Sequence, residues 1–249
     1  MTLLRLNAVG HVFLGRAVLE NVSLHVDAGE MVALVGPSGC GKSTLAQIAA
    51  GLIAPRHGQV TRGYGRSAFV FQEPRLLPWA TVEANVALGL SAHALARSER
   101  NTRIAAACHQ VSLEEGDWHK FPSQLSGGMR QRTALARALV GDPDFLYFDE
   151  PFTALDAALR RRMQDLVVST VSNSGKGGLF ITHDIHEALR ICHRIAVLDR
   201  SGHGILDCVA VAGMPGSRSD EMIFETARRL VSDHPLFAVV DEHDERRLA

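Results

Sequence analysis

In the stretch LENVSLHVDAGE, Val22, Leu24 and Val26 take every second position, with polar residues between them. A period of two predicts a half-buried strand, ending here in a turn at Asp27 to Gly29. The next apolar segment, MVALV at 31–35, is unbroken, as in strands buried on both faces. It runs into a glycine-rich segment, after which KSTLAQIAAGL reads as a helix stopping at Gly51. SAFVFQ (67–72) is a further strand candidate. From about 73 to 125 prolines punctuate the chain, and helical patterns at 81–90 and 97–111 replace strands. Met129, Leu135 and Leu139 give an apolar side to a helix over 129–140. FLYFDE (145–150) is again a buried strand, a helix follows through 156–171, and GLFITHD (178–184) and RIAVLD (194–199) continue the alternation. Beyond 205 the pattern weakens to a helix at about 219–232 and a polar end, DEHDERRLA, expected to be loose. Strands alternating with helices predict a parallel sheet with helices on its faces.

Composition narrows the class. The 249 residues are 46% hydrophobic and 21% charged, ordinary for a soluble globular protein. A net charge of −1 provides no basic field for nucleic acid or anionic lipid, so no nucleic-acid partner is expected. The cysteines Cys40, Cys108, Cys192 and Cys208 are widely spaced, which suits a reducing cytosol better than a zinc site or a disulfide framework. The N-terminus MTLLRLNAVG lacks the basic-then-apolar pattern of a signal peptide, and no apolar run nears the roughly 20 residues of a membrane helix. Of 26 basic residues only Lys42, Lys120 and Lys176 are lysines. A chain that otherwise writes arginine places a compact ammonium at 42, inside the glycine loop.

That loop, Gly36-Pro37-Ser38-Gly39-Cys40-Gly41-Lys42-Ser43, fits G-x-x-x-x-G-K-[ST], and Thr44 follows it. Its context, after a strand and before a helix, is the one phosphate binding requires. Backbone N–H groups would turn toward phosphate oxygens, Lys42 would reach the β- and γ-phosphates, Ser43 would hold Mg²⁺, and the helix start adds partial positive charge. The second cluster is Asp149-Glu150, two acids ending an apolar strand, costly there without a role. Asp149 would hold Mg²⁺ and Glu150 would act as general base; an acidic strand end facing solvent is the bland alternative. The third is LSGGM, with Ser126, Gly127, Gly128 and Met129 opening the helix over 129–140. It reads equally as a second anion grip or as a simply capped helix.

The ordered set GPSGCGKST, FQE, LSGGMRQR, FLYFDEP, TALD and ITHD resembles the ATP-binding subunits of ABC transporters over residues 3–205. The resemblance implies an α/β fold of the P-loop NTPase (RecA-like) kind, a parallel sheet core with an antiparallel β lobe and an inserted helical lobe. Within a single cassette over 1–249, the nucleotide-binding core would be 1–72 and 145–205, the helical lobe with the signature 73–144, and a helical tail 206–249. It also explains two phosphate grips on one chain. Such subunits work as a head-to-tail pair, homodimeric or with a related ATPase. The loop at 36–44 holds ATP in its own subunit, and Ser126–Met129 cap the γ-phosphate held by the other.

By position the resemblance further implies that Gln72 senses Mg²⁺ and water, that His183 contacts the γ-phosphate and orients the water, and that Asp156 lies at the pair interface. Phe13 matches an aromatic that stacks on adenine, where the family more often has Tyr or Trp; a core phenylalanine is the alternative. Thr153 stands where serine is frequent, and His193 where Asp usually precedes Arg. The main catalytic positions are intact, so an active ATPase is expected. RLLPWATVEANVALGL (75–90), with Leu76, Leu77, Pro78 and Trp79, resembles the nitrate, sulfonate and taurine branch of bacterial importers. The expected partners are transmembrane permease subunits and, indirectly, a solute-binding protein, with the chain peripheral on the cytoplasmic face of the cell membrane. A soluble ABC ATPase outside transport and a regulatory ATP-binding protein are the alternatives.

Overall fold

The computed structural model describes residues 1–172, 175–233 and 237. In chain order the elements are β1 (Thr2–Phe13), β2 (Arg16–Asp27), β3 (Met31–Val35), α1 (Lys42–Ala50), β4 (His57–Arg62), β5 (Ser67–Val70), α2 (Val82–Ala87), α3 (Arg97–Gln110), α4 (Gly127–Leu139), β6 (Phe145–Asp149), α5 (Ala157–Ser172), β7 (Gly177–Ile181), α6 (Ile185–Ile191), β8 (Arg194–Leu198), β9 (Ile205–Ala210) and α7 (Asp220–Asp233). They group into two compact units, Met1–Tyr64 with Val167–Ala249, and Gly65–Leu166.

The first unit carries an antiparallel sheet in the order β2-β1-β4. The period-two reading of β2 holds: Val22, Leu24 and Val26 are buried while Ser23 and His25 face solvent. β1 does not show that clean alternation, because its pairing with β2 shifts register between Leu6 and Val9, next to Ala8 at φ 50°. A bulge of this kind breaks the period that sequence reading relies on. The same unit contains β3 paired in parallel with β7 on one side and β8 on the other, and β9 antiparallel to β8. Every residue of β3 and β7 is buried, as their unbroken apolar runs require. Leu45 and Ile48 of α1 and Ile185, Leu189 and Ile191 of α6 are buried with them.

One buried arginine helps fasten the tail. Arg218, only 5% exposed, donates to the carbonyls of Val211, Ala212 and Gly213 and to Leu189 and Cys192 at the end of α6. The helix expected at 219–232 is α7. The polar end DEHDERRLA lies outside the described residues.

In the second unit β5 pairs in parallel with β6, Ser67 opposite Phe145 and Val70 opposite Phe148. Phe69 stacks on Phe71 at 4.3 Å and on Tyr147 at 5.7 Å between ring centroids, so aromatic area fixes the register. β5 stops at Val70, short of the strand expected to 72. The helix expected at 81–90 is α2 followed by a 3₁₀ turn over Leu88–Leu90. α4 starts at Gly127, earlier than the apolar pattern suggests, because Ser126 caps it. β4 (HGQVTR) is polar, β9 leaves no residue fully buried and α6 is short, and none of the three is in the sequence reading.

Candidate functional site

In the first unit the chain leaves β3 into the loop 36–41 and enters α1 at Lys42. Lys42 is 8% exposed, and its Nζ donates to Gly36 O at 2.7 Å and Pro37 O at 2.9 Å. The ammonium therefore sits inside its own loop, closing it into a cradle, with Ser38 and Gly39 exposed at the rim. Gly41 is the N-cap at φ 100°, and no side chain caps the helix. A helix start without a side-chain cap is the kind of helix N-terminus that suits an anion. A Cβ on Gly41 would meet Leu19 Cδ2 at 2.8 Å and Val18 O at 3.1 Å, so neither the φ nor the space admits another residue. Cys40 is buried beneath, and burial pushes its thiol pKa up, which keeps it protonated and inert.

Phe13 ends β1 and stands 61% exposed, which removes the core-phenylalanine alternative. His183 lies between β7 and α6, on a turn held from both sides. The buried Thr182 hydroxyl donates to Glu187 at 2.6 Å and accepts from Asp184 N at 3.1 Å. Asp184 caps α6, accepting from His186 N at 2.8 Å and Glu187 N at 3.0 Å. Burial pushes the Asp184 carboxyl up, but the His186 imidazole, followed by these backbone bonds, more than offsets it and holds it below the usual carboxylate range.

The second unit holds the acids. β6 is buried throughout and ends in Asp149, 5% exposed. Glu150 follows with φ 45°, a left-handed backbone uncommon outside glycine, of the kind that concentrates at functional sites. Gln72 Nε2 donates to Glu150 Oε2 at 3.2 Å. The structure thus brings together two residues 78 positions apart that were picked out separately from the sequence. Ser126 Oγ accepts from Met129 N at 3.2 Å and caps α4. Gly128 packs so closely that a Cβ would lie 3.2 Å from Ala154 O and 3.3 Å from Leu155 Cδ2, which sets the LSGGM turn against the TALD loop. Asp156 is exposed and caps α5, its Oδ1 accepting from Leu159 N at 2.9 Å.

Trp79 of LLPW is 73% exposed. Its loop is held by Asn85, a buried side chain with no sequence signal of its own. Asn85 Oδ1 accepts from Leu77 N at 2.7 Å, and Nδ2 donates to the carbonyls of Leu77, Ala80 and Thr81 at 3.2, 3.0 and 3.0 Å. Lys42, Ser43 and His183 thus stand on the first unit, and Gln72, Asp149, Glu150, Ser126–Met129 and Asp156 on the second.

A family model described as "ABC transporter" matches residues 19–153. The chain is 46% identical over 207 residues to the aliphatic sulfonates import ATP-binding protein SsuB 1 of Nocardia farcinica, covering 82% of this chain and 81% of the relative. It is 44% identical over 191 residues to the taurine import ATP-binding protein TauB of Pseudomonas aeruginosa, covering 74% and 72%. Among solved structures it is similar to an ATP-binding cassette in a dimeric post-hydrolysis state bound to ADP and Pi, with a TM-score of 0.78 at 32% identity over 85% of this chain and 100% of that one. These relatives agree with the sulfonate and taurine branch that LLPW suggests, and their fold with the α/β architecture described above. With a glycine loop closed around Lys42 and a Gln72-bonded carboxylate after β6, the chain belongs to the ABC transporter family and is one of its ATPases.

Proposed function

We propose that this chain is the ATP-binding subunit of an importer for aliphatic sulfonates or taurine, working as a head-to-tail pair on a membrane permease fed by a solute-binding protein. The observation that carries the solute class is that the relatives SsuB 1 and TauB are named as import ATP-binding proteins for those solutes. The pairing is supported by the dimeric cassette to which the fold is similar. No helix among the described residues is long and apolar enough to cross a membrane. Placement on the inner face of the cell membrane would therefore come from docking on the permease.

ATP enters the cradle at 36–44 with its phosphates on the Lys42 ammonium and the N-terminus of α1, and its adenine on the exposed ring of Phe13. Glu150 accepts a proton from the attacking water, and Gln72 and His183 orient that water. Ser126, Gly127, Gly128 and Met129 face the γ-phosphate held by the paired subunit, with Asp156 at the interface. ATP favours the closed pair over the open one, and hydrolysis removes that bias.

The residues present fit Mg²⁺. Among the described residues no group of three or more His, Cys, Asp or Glu forms an all-protein metal cage. Asp149 instead presents a single buried carboxylate. That suits an ion held beside a nucleotide by a few protein oxygens, with substrate phosphates and waters supplying the other ligands. Ser43, Gln72 and Asp149 would hold it, and when bound it neutralises charge on the phosphate oxygens.

The test is uptake of labelled taurine and of a short alkanesulfonate in cells lacking this chain. Restoring the chain recovers uptake of one of these solutes, and the Lys42→Ala variant does not. Uptake indifferent to the chain while its ATPase persists removes the solute assignment and leaves the ATPase standing.

A further inference from the structure

Arg137 lies in the last turn of α4, the helix that begins at the Ser126 cap. Its guanidinium donates from Nη1 to Arg75 O and from Nη2 to Pro74 O, both at 2.8 Å. Earlier on the same helix, buried Gln131 donates from Nε2 to Phe71 O at 3.4 Å. The backbone is therefore fastened to α4 on both sides of Gln72 and Glu73. Arg75 is held a third way, its guanidinium carbon 4.0 Å above the Phe71 ring, with its own backbone at φ 44°. That backbone conformation is strained for a non-glycine residue and persists only where surrounding contacts impose it. Gln72 in turn donates to Glu150. A continuous chain of bonds thus runs from α4 through Arg137 and the 74–75 carbonyls to Gln72 and the Glu150 carboxylate.

We propose that Arg137 is a positioning residue for hydrolysis. Its fork fixes the loop after Gln72 so that the Gln72 amide meets Glu150, and the placement of the helix that starts at the LSGGM turn is thereby read at the hydrolytic carboxylate. The inference rests on the roles given above to Gln72 and Glu150 and adds a residue that touches neither water nor nucleotide. The chemistry requires a guanidinium: two successive carbonyls are met by one planar fork, whereas a lysine ammonium, a single point on a flexible stem, does not hold both in one geometry. Burial lowers the Arg137 pKa, yet a guanidinium remains charged, so both bonds are charge-assisted.

The test is a double-mutant cycle on the full chain, read as phosphate release and as ATP binding, with Arg137→Met, Arg137→Lys, Gln72→Ala and the paired variants. A displaced Gln72 amide predicts that Arg137→Met lowers kcat roughly 10- to 100-fold, the scale of an ångström misplacement at a reacting centre. The KM for ATP should stay within about threefold, because the cradle around Lys42 is untouched. Arg137→Lys should show a smaller loss in the same direction. Adding Arg137→Met to Gln72→Ala should slow turnover no further than about twofold, because both changes remove one contact. Losses that multiply in the paired variant, or wild-type kcat in Arg137→Met and Arg137→Lys, overturn the proposal. If circular dichroism shows that Arg137→Met does not fold, Arg137→Lys with Gln72→Ala decides by the same criterion. Wild-type turnover in Gln72→Ala beside a slow Arg137→Met overturns the route through Gln72, and with it the role given to Gln72 itself.

Discussion

The side-chain amide of Gln72 donates to the carboxylate of Glu150 at 3.2 Å. Gln72 lies just past β5 and Glu150 just past β6, two strands that pair in parallel, so the bond spans the ends of neighbouring strands. Glu150 itself sits at φ 45°, outside the ordinary range for an L-residue. A carboxylate is aimed by what bonds to it, and the Gln72 amide is one donor that directs Glu150 Oε2.

Glu150→Gln should lower turnover by roughly 10²–10⁴ and leave ATP binding intact. The glutamine keeps the volume and an oxygen that can accept from Gln72, but it cannot take a proton from water. Single-turnover phosphate release beside equilibrium nucleotide binding measures both effects. Turnover at the wild-type rate would remove Glu150 from the role of base.

Legibility followed local chemistry. The loop 36–44, the Asp149-Glu150 pair and the Ser126 cap are each contiguous in the chain, and their local structure is written in backbone conformation and residue type over a few positions. β3, β6, β7 and β8 were equally plain, because a strand buried on both faces needs an unbroken apolar run. β1 was not, since its bulge at Ala8 breaks the alternation, and β4 exposes nearly every residue. Asn85, Gln131 and Arg137 left no signal either. Each works by bonding to main-chain carbonyls of a segment elsewhere in the chain, and a carbonyl has no letter in the sequence.

Gly39 and Gly41 separate strain from crowding. Both have left-handed backbones, φ 80° and 100°, but a Cβ on Gly39 meets nothing within 4 Å, whereas one on Gly41 would press on Leu19 and Val18. Gly39→Ala should cost about 1–2 kcal/mol, the price of the conformation alone. Gly41→Ala should cost about 1–3 kcal/mol more, and ATP affinity should fall further as the cradle opens. Urea unfolding of both variants with nucleotide titrations checks this, and equal costs would mean that Leu19 gives way freely.

Arg218→Met should destabilise the protein by about 2–4 kcal/mol, because buried carbonyls lose their donors. Those carbonyls belong to 211–213 and to the end of α6, so nucleotide binding should change little. Burial lowers the Arg218 pKa, but the group stays cationic, so the loss should be nearly independent of pH near neutrality. Chemical denaturation at two pH values is the measurement, and a loss below about 0.5 kcal/mol would show that water replaces the guanidinium.

His193 gives the fold a pH dependence with a definite sign. Its Nδ1 accepts from Met31 N at 3.0 Å, and the His193 backbone N–H donates to Met31 O at 2.8 Å, joining the start of β8 to β3. Accepting through Nδ1 requires that nitrogen to be unprotonated. Burial pushes the ring below its ordinary pKa; the Glu30 carboxylate opposes the shift and Arg218 adds to it. The folded state therefore favours the neutral ring. Its contribution is fully present above the unfolded value, about 6.5, and is lost as pH falls from there through the lower folded value. His193→Asn offers a side-chain oxygen to the Met31 N–H and does not titrate in this window. Between about pH 7.5 and 5.5 the wild type should lose more thermal stability than the variant, and parallel melting curves would assign the acid sensitivity to another group.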